Sequence, residues 1–271
     1  MMTTTSIGSK TISFDASAPV DLSIPMSFSD HDPNLYDVPA ASTEAFQGQG
    51  FIGDTRQGGT CNFDSLTITP HCNGTHTECI GHITHQRVSL NRVLQPGLLP
   101  CILISILPES LKAAGESSRP ALDANHVGIT ARQLETKLSG IDPAFRTAVI
   151  IRTLPNALGK QTRQYANKNW PFFSIEAIQL LLKLDVQHIL TDLPSLDRLD
   201  DDGEMAAHRT WWDLKPGAHS GQSDAATKRT ITEMIFVPET SPDGLGLLSI
   251  QTPAFESDAA PSRPLFFPVI G

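Results

Sequence analysis

The feature that most limits what this chain can become is a set of short runs that are apolar on consecutive residues rather than on alternate ones. They cover 101–107 (CILISIL), 147–153 (TAVIIRT), 186–191 (VQHILT), 230–237 (TITEMIFV) and 245–251 (LGLLSIQ), and most are bounded by Pro, Gly or Asp. Two further runs, 20–24 and 65–69, read as strands on the same grounds. A strand with one wet face alternates apolar and polar residues; continuous runs need cover on both faces. The cover is expected from helices. Residues 130–138 (TARQLETKL) open on Thr130 as a cap and stop before Gly140, and 174–184 (SIEAIQLLLKL) open on Ser174 with Glu176 in the first turn. Ile175, Ile178, Leu181 and Leu182 make an apolar face on the second, which feeds directly into the 186–191 run. A third helix is expected within 204–211. The result is an α/β chain with a mixed β-sheet core and flanking helices.

With 271 residues and 39% hydrophobic content, one large core is within reach. We read 1–271 as a single domain, with 1–19 as an N-terminal arm, 214–228 (LKPGAHSGQSDAATK) as an inserted loop and 252–271 as a C-terminal extension. The net charge of −9, without a Lys/Arg run, argues against nucleic acid as a partner. The apolar stretch 98–107 contains Pro100 and is too short for a membrane span. Four cysteines without a CxxC pair, and no secretion signal, lead to the expectation of a reduced, cytoplasmic protein.

Chemistry concentrates in 71–85 (HCNGTHTECIGHITH), where four of the nine histidines stand with two cysteines and Glu78. Imidazole and carboxylate suit Zn, Mn or Fe, and thiolate favours Zn. His76 and Glu78, two residues apart, share a face on extended chain. The spacing matches neither a zinc finger nor HExxH. A histidine-rich surface loop, or a structural zinc site on Cys61, Cys72 and Cys79, is equally compatible with the local pattern. A second observation favours metal: Glu233 lies in the run TITEMIFV, apolar on both faces. A carboxylate there needs a cation, an arginine or strong hydrogen bonds.

These pieces resemble the cyclase-like metal-dependent hydrolase family, which includes the bacterial kynurenine formamidases. That family carries an early D-[LI]-S, then H-x-G-T-H-x-D-x-P-x-H, then D-x-P-S-x-D, and a later His and Glu. Here Asp21-Leu22-Ser23, the loop 72–82 (CNGTHTECIGH), the loop 192–197 (DLPSLD), His208 and Glu233 fall in that order. The resemblance spans about residues 20–250 and implies a swivelling β/β/α fold and a homo-oligomer, dimer or tetramer. It makes His76 a metal ligand, Glu78 a bridge between two ions, His208 and Glu233 ligands of the second ion, and His82 the catalytic proton carrier. One or two divalent ions per chain, Zn or Mn, follow. The departures are Cys72 at the first histidine's place with His71 one residue earlier, Glu78 for aspartate, Ile80 for proline, and a long interval from His208 to Glu233. His71 and Cys72 therefore compete for one ligand position.

The reaction implied is hydrolysis of a C–N bond in an amide, formamide or cyclic amide by metal-activated water, with Glu78 and His82 as the catalytic pair. Trp170, Trp211, Trp212 and Thr75 are candidate substrate-binding residues for a small, aromatic molecule, the tryptophans as pocket wall and Thr75 positioning the loop or a ligand through its hydroxyl. Two other functions share these residues: an esterase or lactonase on the same centre, and a binding protein that keeps the fold without the reaction.

Overall fold

The computed structural model describes residues 1–270. Nine strands form one mixed sheet: β1 (Val20–Asp21), β2 (His76–Cys79), β3 (Leu99–Ile106), β4 (Ala148–Thr153), β5 (His188–Thr191), β6 (Thr230–Glu233), β7 (Gly244–Gln251), β8 (Ala259–Pro261) and β9 (Arg263–Pro268). Their spatial order is β8-β2-β6-β5-β4-β3-β7-β9-β1. The centre, β6-β5-β4-β3, is parallel, and antiparallel strands flank it on both sides.

The apolar runs are continuous because successive residues go to different layers. Ile102, Ile104, Val149, Ile151, Ile189 and Ile231 face one core cluster. Cys101, Leu103, Ala148, Ile150 and Leu190 face the other, with Leu22, Leu248 and Phe266. The first cluster is closed by three helices, α1 (Ala131–Leu138), α2 (Ile175–Lys183) and α3 (Ala206–Trp211). Thr130 caps α1 in a reciprocal box with Gln133, each bond at 3.2 Å, and the Ser174 hydroxyl accepts from Ala177 N at 2.9 Å to open α2.

Several expectations change. The run 65–69 is not part of the central sheet. Its strand, Asp64–Thr67, is exposed throughout and pairs only with Ser42–Ala45, because no second layer lies over it. The run 230–237 stops being a strand at Glu233, since Met234 takes a left-handed φ of +52° and turns the chain. The helix in 204–211 is shorter than its run, starting at Ala206. Residues 1–19 contain a hairpin, Met2–Ile7 with Lys10–Asp15, whose Ile12 and Phe14 pack on Phe145 and Phe267. Within the C-terminal extension, β8 and β9 are built into the sheet. His76–Cys79, read from sequence as a loop, is a buried strand between β6 and β8. Among the described residues, no helix is long and apolar enough to cross a membrane.

The loop after β5 is fixed by a buried ion pair: Lys160 Nζ lies 2.7 Å from Asp192 Oδ2, and Asp192 also accepts from the Thr153 amide and hydroxyl. That anchors the segment carrying Ser195 and Asp197.

His188, at the start of β5, is buried with Nδ1 2.8 Å from the Thr230 hydroxyl, and burial lowers its pKa from 6.5 to about 4. The unfolded chain therefore binds this proton more readily than the folded one. The associated stability is complete above pH 6.5 and is lost as pH falls from there towards 4. The expected loss is on the order of 3 kcal/mol. Denaturant unfolding near neutrality and near about pH 5 should show it, and His188→Gln should flatten the slope; an unchanged slope would remove His188 as the cause.

Candidate metal centre

The centre lies where β2, β6 and β8 meet. The β2–β6 register sets His76 opposite Glu233, and alternation puts Glu78 on the same face as His76. The turn 69–73 delivers His71: the Cys72 and Asn73 amides both donate to Thr69 O at 2.9 Å, while Asn73 Oδ1 accepts from Thr69 N at 2.7 Å. Gly74, at φ +78°, then bends the chain into β2, and an added Cβ would press on Met26 at 3.2 Å. The loop 192–197 supplies Asp197, and α3 supplies His208.

The contacts are short. His71 Nδ1 is 2.7 Å from Glu78 Oε2 and its Nε2 is 2.8 Å from Asp258 Oδ2. His208 Nε2 is 3.0 Å from Glu78 Oε1 and 3.6 Å from Glu233 Oε1; its Nδ1 is 2.6 Å from Asp197 Oδ2. Glu233 Oε1 also accepts from Leu196 N at 2.8 Å. Glu233 thus meets imidazoles and a backbone amide rather than an arginine. His82 stacks on His71 with ring centroids 4.0 Å apart, and its Nε2 is 3.9 Å from Glu78 Oε2.

Burial opposes charge on His71, but its bonds to Asp258 and Glu78 outweigh that and raise it to about 10. Burial opposes charge on His208 as well, and Asp197 and Glu78 raise it well above the usual imidazole range. Glu78, though fully buried, is held ionised and well below the usual carboxylate range by His82, His208 and His71. Hydrogen bonding to His71, with His82 beside it, holds Asp258 below that range too.

Three overlapping groups could each hold a divalent ion: His71–His76–Glu78, Glu78–His208–Glu233 and His71–His82–Asp258, the ligand atoms of each lying within 4.8 Å of one another. His76 tests the fit. Its Nδ1 lies 3.0 Å from Gly74 O, which can only accept, so Nε2 carries the lone pair. That Nε2 is buried, has no hydrogen-bond partner and stands 3.5 Å from Glu233 Oε2. Leaving such a group unpaired costs about 1–3 kcal/mol, and a cation removes the cost. Imidazoles and carboxylates without a thiolate suit Zn or Mn.

The sequence-derived residues divide. His71, His76, Glu78, His82, His208 and Glu233 come together. Cys72 does not join the groups: it packs with Leu35, Tyr165, Trp170 and Met234, and burial raises its thiol to about 11. The turn brings His71 into the groups, while Cys72 lines the cavity beside them. Trp211 and Trp212 are fully buried in the helix-side core, so neither walls a substrate pocket; Trp212 instead backs the His208 ring at 5.6 Å. Trp170 donates to Asp197 O at 2.8 Å and meets the Tyr36 ring edge-on at 6.3 Å, one layer behind the cavity. Thr75 is not available to substrate: its hydroxyl accepts from Ile24 N at 2.9 Å and donates to Met234 O at 2.5 Å. The loop 214–228 folds back, His219 Nδ1 donating to Ile83 O at 2.7 Å, with the His85 ring tilted against His219 and outside the centre.

Two residues go beyond the sequence assignment. Asp197 stands in the DLPSLD loop, where its motif was visible but its role behind His208 was not. Asp258 sits in a Pro/Ser-rich tail without any local signal. A cavity of about 460 Å³ opens over the centre, lined by Leu35, Tyr36 and Met205 as well as His71, Glu78 and His82.

The sequence model of the Cyclase family matches residues 20–198, and the chain belongs to that family. Solved structures share its fold. Isatin hydrolase A from Labrenzia aggregata, bound to benzyl benzoate, superposes with a TM-score of 0.62 at 14% identity, over 93% of this chain and 94% of that one. An isatin hydrolase bound to the product analogue thioisatinate gives 0.61 at 12% identity, over 93% and 92%. A protein described as a predicted metal-dependent hydrolase, from Bacillus stearothermophilus, gives 0.57 at 15% identity, over 92% and 98%. None of the curated proteins compared matches the sequence significantly.

Because His71 and His208 hold protons in the metal-free site, ion uptake must expel them. Calorimetric titration of stripped protein with Zn2+ or Mn2+, in two buffers of different ionisation heat, should register proton release and an affinity that weakens as pH falls. Uptake without release would place the ion elsewhere.

Proposed function

We propose that this chain is a metal-dependent hydrolase that cleaves a C–N bond in an aryl-substituted or cyclic amide. The observation that carries the reading is the buried, unpartnered His76 Nε2, set among the carboxylates of Glu78 and Glu233 and the imidazoles of His71 and His208. Those five residues would hold the ion or ions. A divalent ion, when bound, supplies acidification of water and polarisation of a carbonyl.

The protein's own groups do the rest. Asp197 accepts a hydrogen bond from the Nδ1–H of His208, so that Nε2 faces Glu78. His82, partly exposed to the cavity and stacked on His71, is placed to accept a proton on the water side and deliver it to the departing nitrogen. An amine leaves far more readily with that proton than as an anion. Leu35, Tyr36 and Met205 offer a flat apolar wall, and the cavity volume suits one or two rings. The isatin hydrolases that share the fold support a cyclic amide, because isatin is one.

The test is a hydrolysis screen of Zn2+- and Mn2+-loaded protein against N-formyl aryl amines, cyclic amides and lactones. Turnover of an amide is expected, with His82→Ala lowering it about 10²- to 10⁴-fold while metal content stays unchanged. Protein that takes up no metal would sink the hydrolase reading. Full turnover by His82→Ala would sink the proton role, and turnover of lactones alone would favour an oxygen leaving group.

A further inference from the structure

The family pattern puts its first ligand at position 72, and here that residue is a thiol that belongs to none of the three ligand groups. His71 reaches the centre instead, from a turn, one residue early. A displaced ligand needs a new anchor, and His71 has one. Its Nε2 is 2.8 Å from Asp258 Oδ2, a residue 187 positions away in the chain. Asp258 is itself held at two points. Its carbonyl accepts from Cys79 N at 3.0 Å, at the edge of β2, and its Oδ1 accepts from Arg87 Nη2 at 3.1 Å.

The other two histidines of the centre are oriented oppositely. His76 donates its Nδ1–H to Gly74 O in a hydrogen bond, and His208 donates its Nδ1–H to Asp197. Both leave Nε2 free for a metal. On His71 the acceptor sits at Nε2, and the nitrogen that faces Glu78, at 2.7 Å, is Nδ1.

We infer that Asp258 is a positioning residue: it accepts the Nε2 proton of His71 and thereby makes Nδ1 the metal-binding atom of that histidine. The inference rests on the metal reading of the centre given above. A carboxylate can only accept, so a neutral His71 beside it keeps its hydrogen on Nε2 and its lone pair on Nδ1. The same carboxylate lies 3.8 Å from His82 Nδ1, so the stacked pair shares one anchor. The centre then binds its ion or ions through two Nε2 atoms and one Nδ1 atom.

The experiment uses the full chain with Zn2+ as the probe, its affinity read by competition with a chelator. Asp258→Asn keeps the shape but offers an amide that can donate, so the tautomer is no longer enforced. Zn2+ affinity should fall about 10- to 100-fold. In a His71→Ala background the same substitution should change affinity by less than about twofold. Should Asp258→Asn fail to fold, 15N-histidine NMR of the Zn2+-loaded wild type decides the matter: His71, identified by its loss in His71→Gln, should be metal-bound at Nδ1 and protonated at Nε2. Coordination through Nε2, wild-type affinity in Asp258→Asn, or an equal loss in both backgrounds would overturn the inference. A wild-type chain that binds no Zn2+ would strike down the metal reading, and the inference would fall with it.

Discussion

Everything at the working end of this molecule follows from placing the carboxylates of Glu78 and Glu233 where water hardly reaches them. Buried carboxylates are tolerated only if positive charge and hydrogen bonds surround them. His71, His208 and the Leu196 amide supply these in the metal-free protein, and the protons on the two imidazoles stand where a cation would. The site is thus a charge-balance problem with two solutions, protonated or metallated, and the fold supports both with the same side chains.

The fold keeps this arrangement in register by spending its rigid elements on it. A strand pairing sets His76 against Glu233, a backbone turn admits His71, and a buried lysine pins the loop that brings Asp197 behind His208. Mobile segments do little of the work. The loop 214–228, with its high Gly and Ser content, is tied down by His219 against the chain next to His82, and so acts as a brace on that segment.

Legibility from sequence follows the range of the interaction. The parallel centre of the sheet can be read because burial on both faces leaves a local mark, and both longer helices announce themselves by capping residues and apolar stripes. The edges are harder. Asp64–Thr67 carries a strand-like composition with no layer to cover it, and Ala259–Pro261 pairs with a segment far away in the chain, which no local pattern records. At the centre, His76, Glu78, His82, His208 and Glu233 are legible as residue types that need one another. Asp258 is not, since a single aspartate in a tail gains meaning only from what it touches. The tryptophans mislead for a physical reason: a large aromatic next to a ligand serves a pocket and a core equally well in sequence, and Trp211 and Trp212 are core.

The placement of β8 has a bearing on how the molecule is made. The strands β3, β4 and β5, joined by α1 and α2, draw on a contiguous third of the chain and can associate while the rest is still emerging from the ribosome. The metal-binding edge cannot. It needs residues 76–79, 230–233 and 258–261 side by side, and the last of these are made well after the scaffold strands. A nascent chain therefore carries a finished scaffold before it carries a finished centre, because Asp258, the anchor of His71, arrives only with the final strands of the sheet.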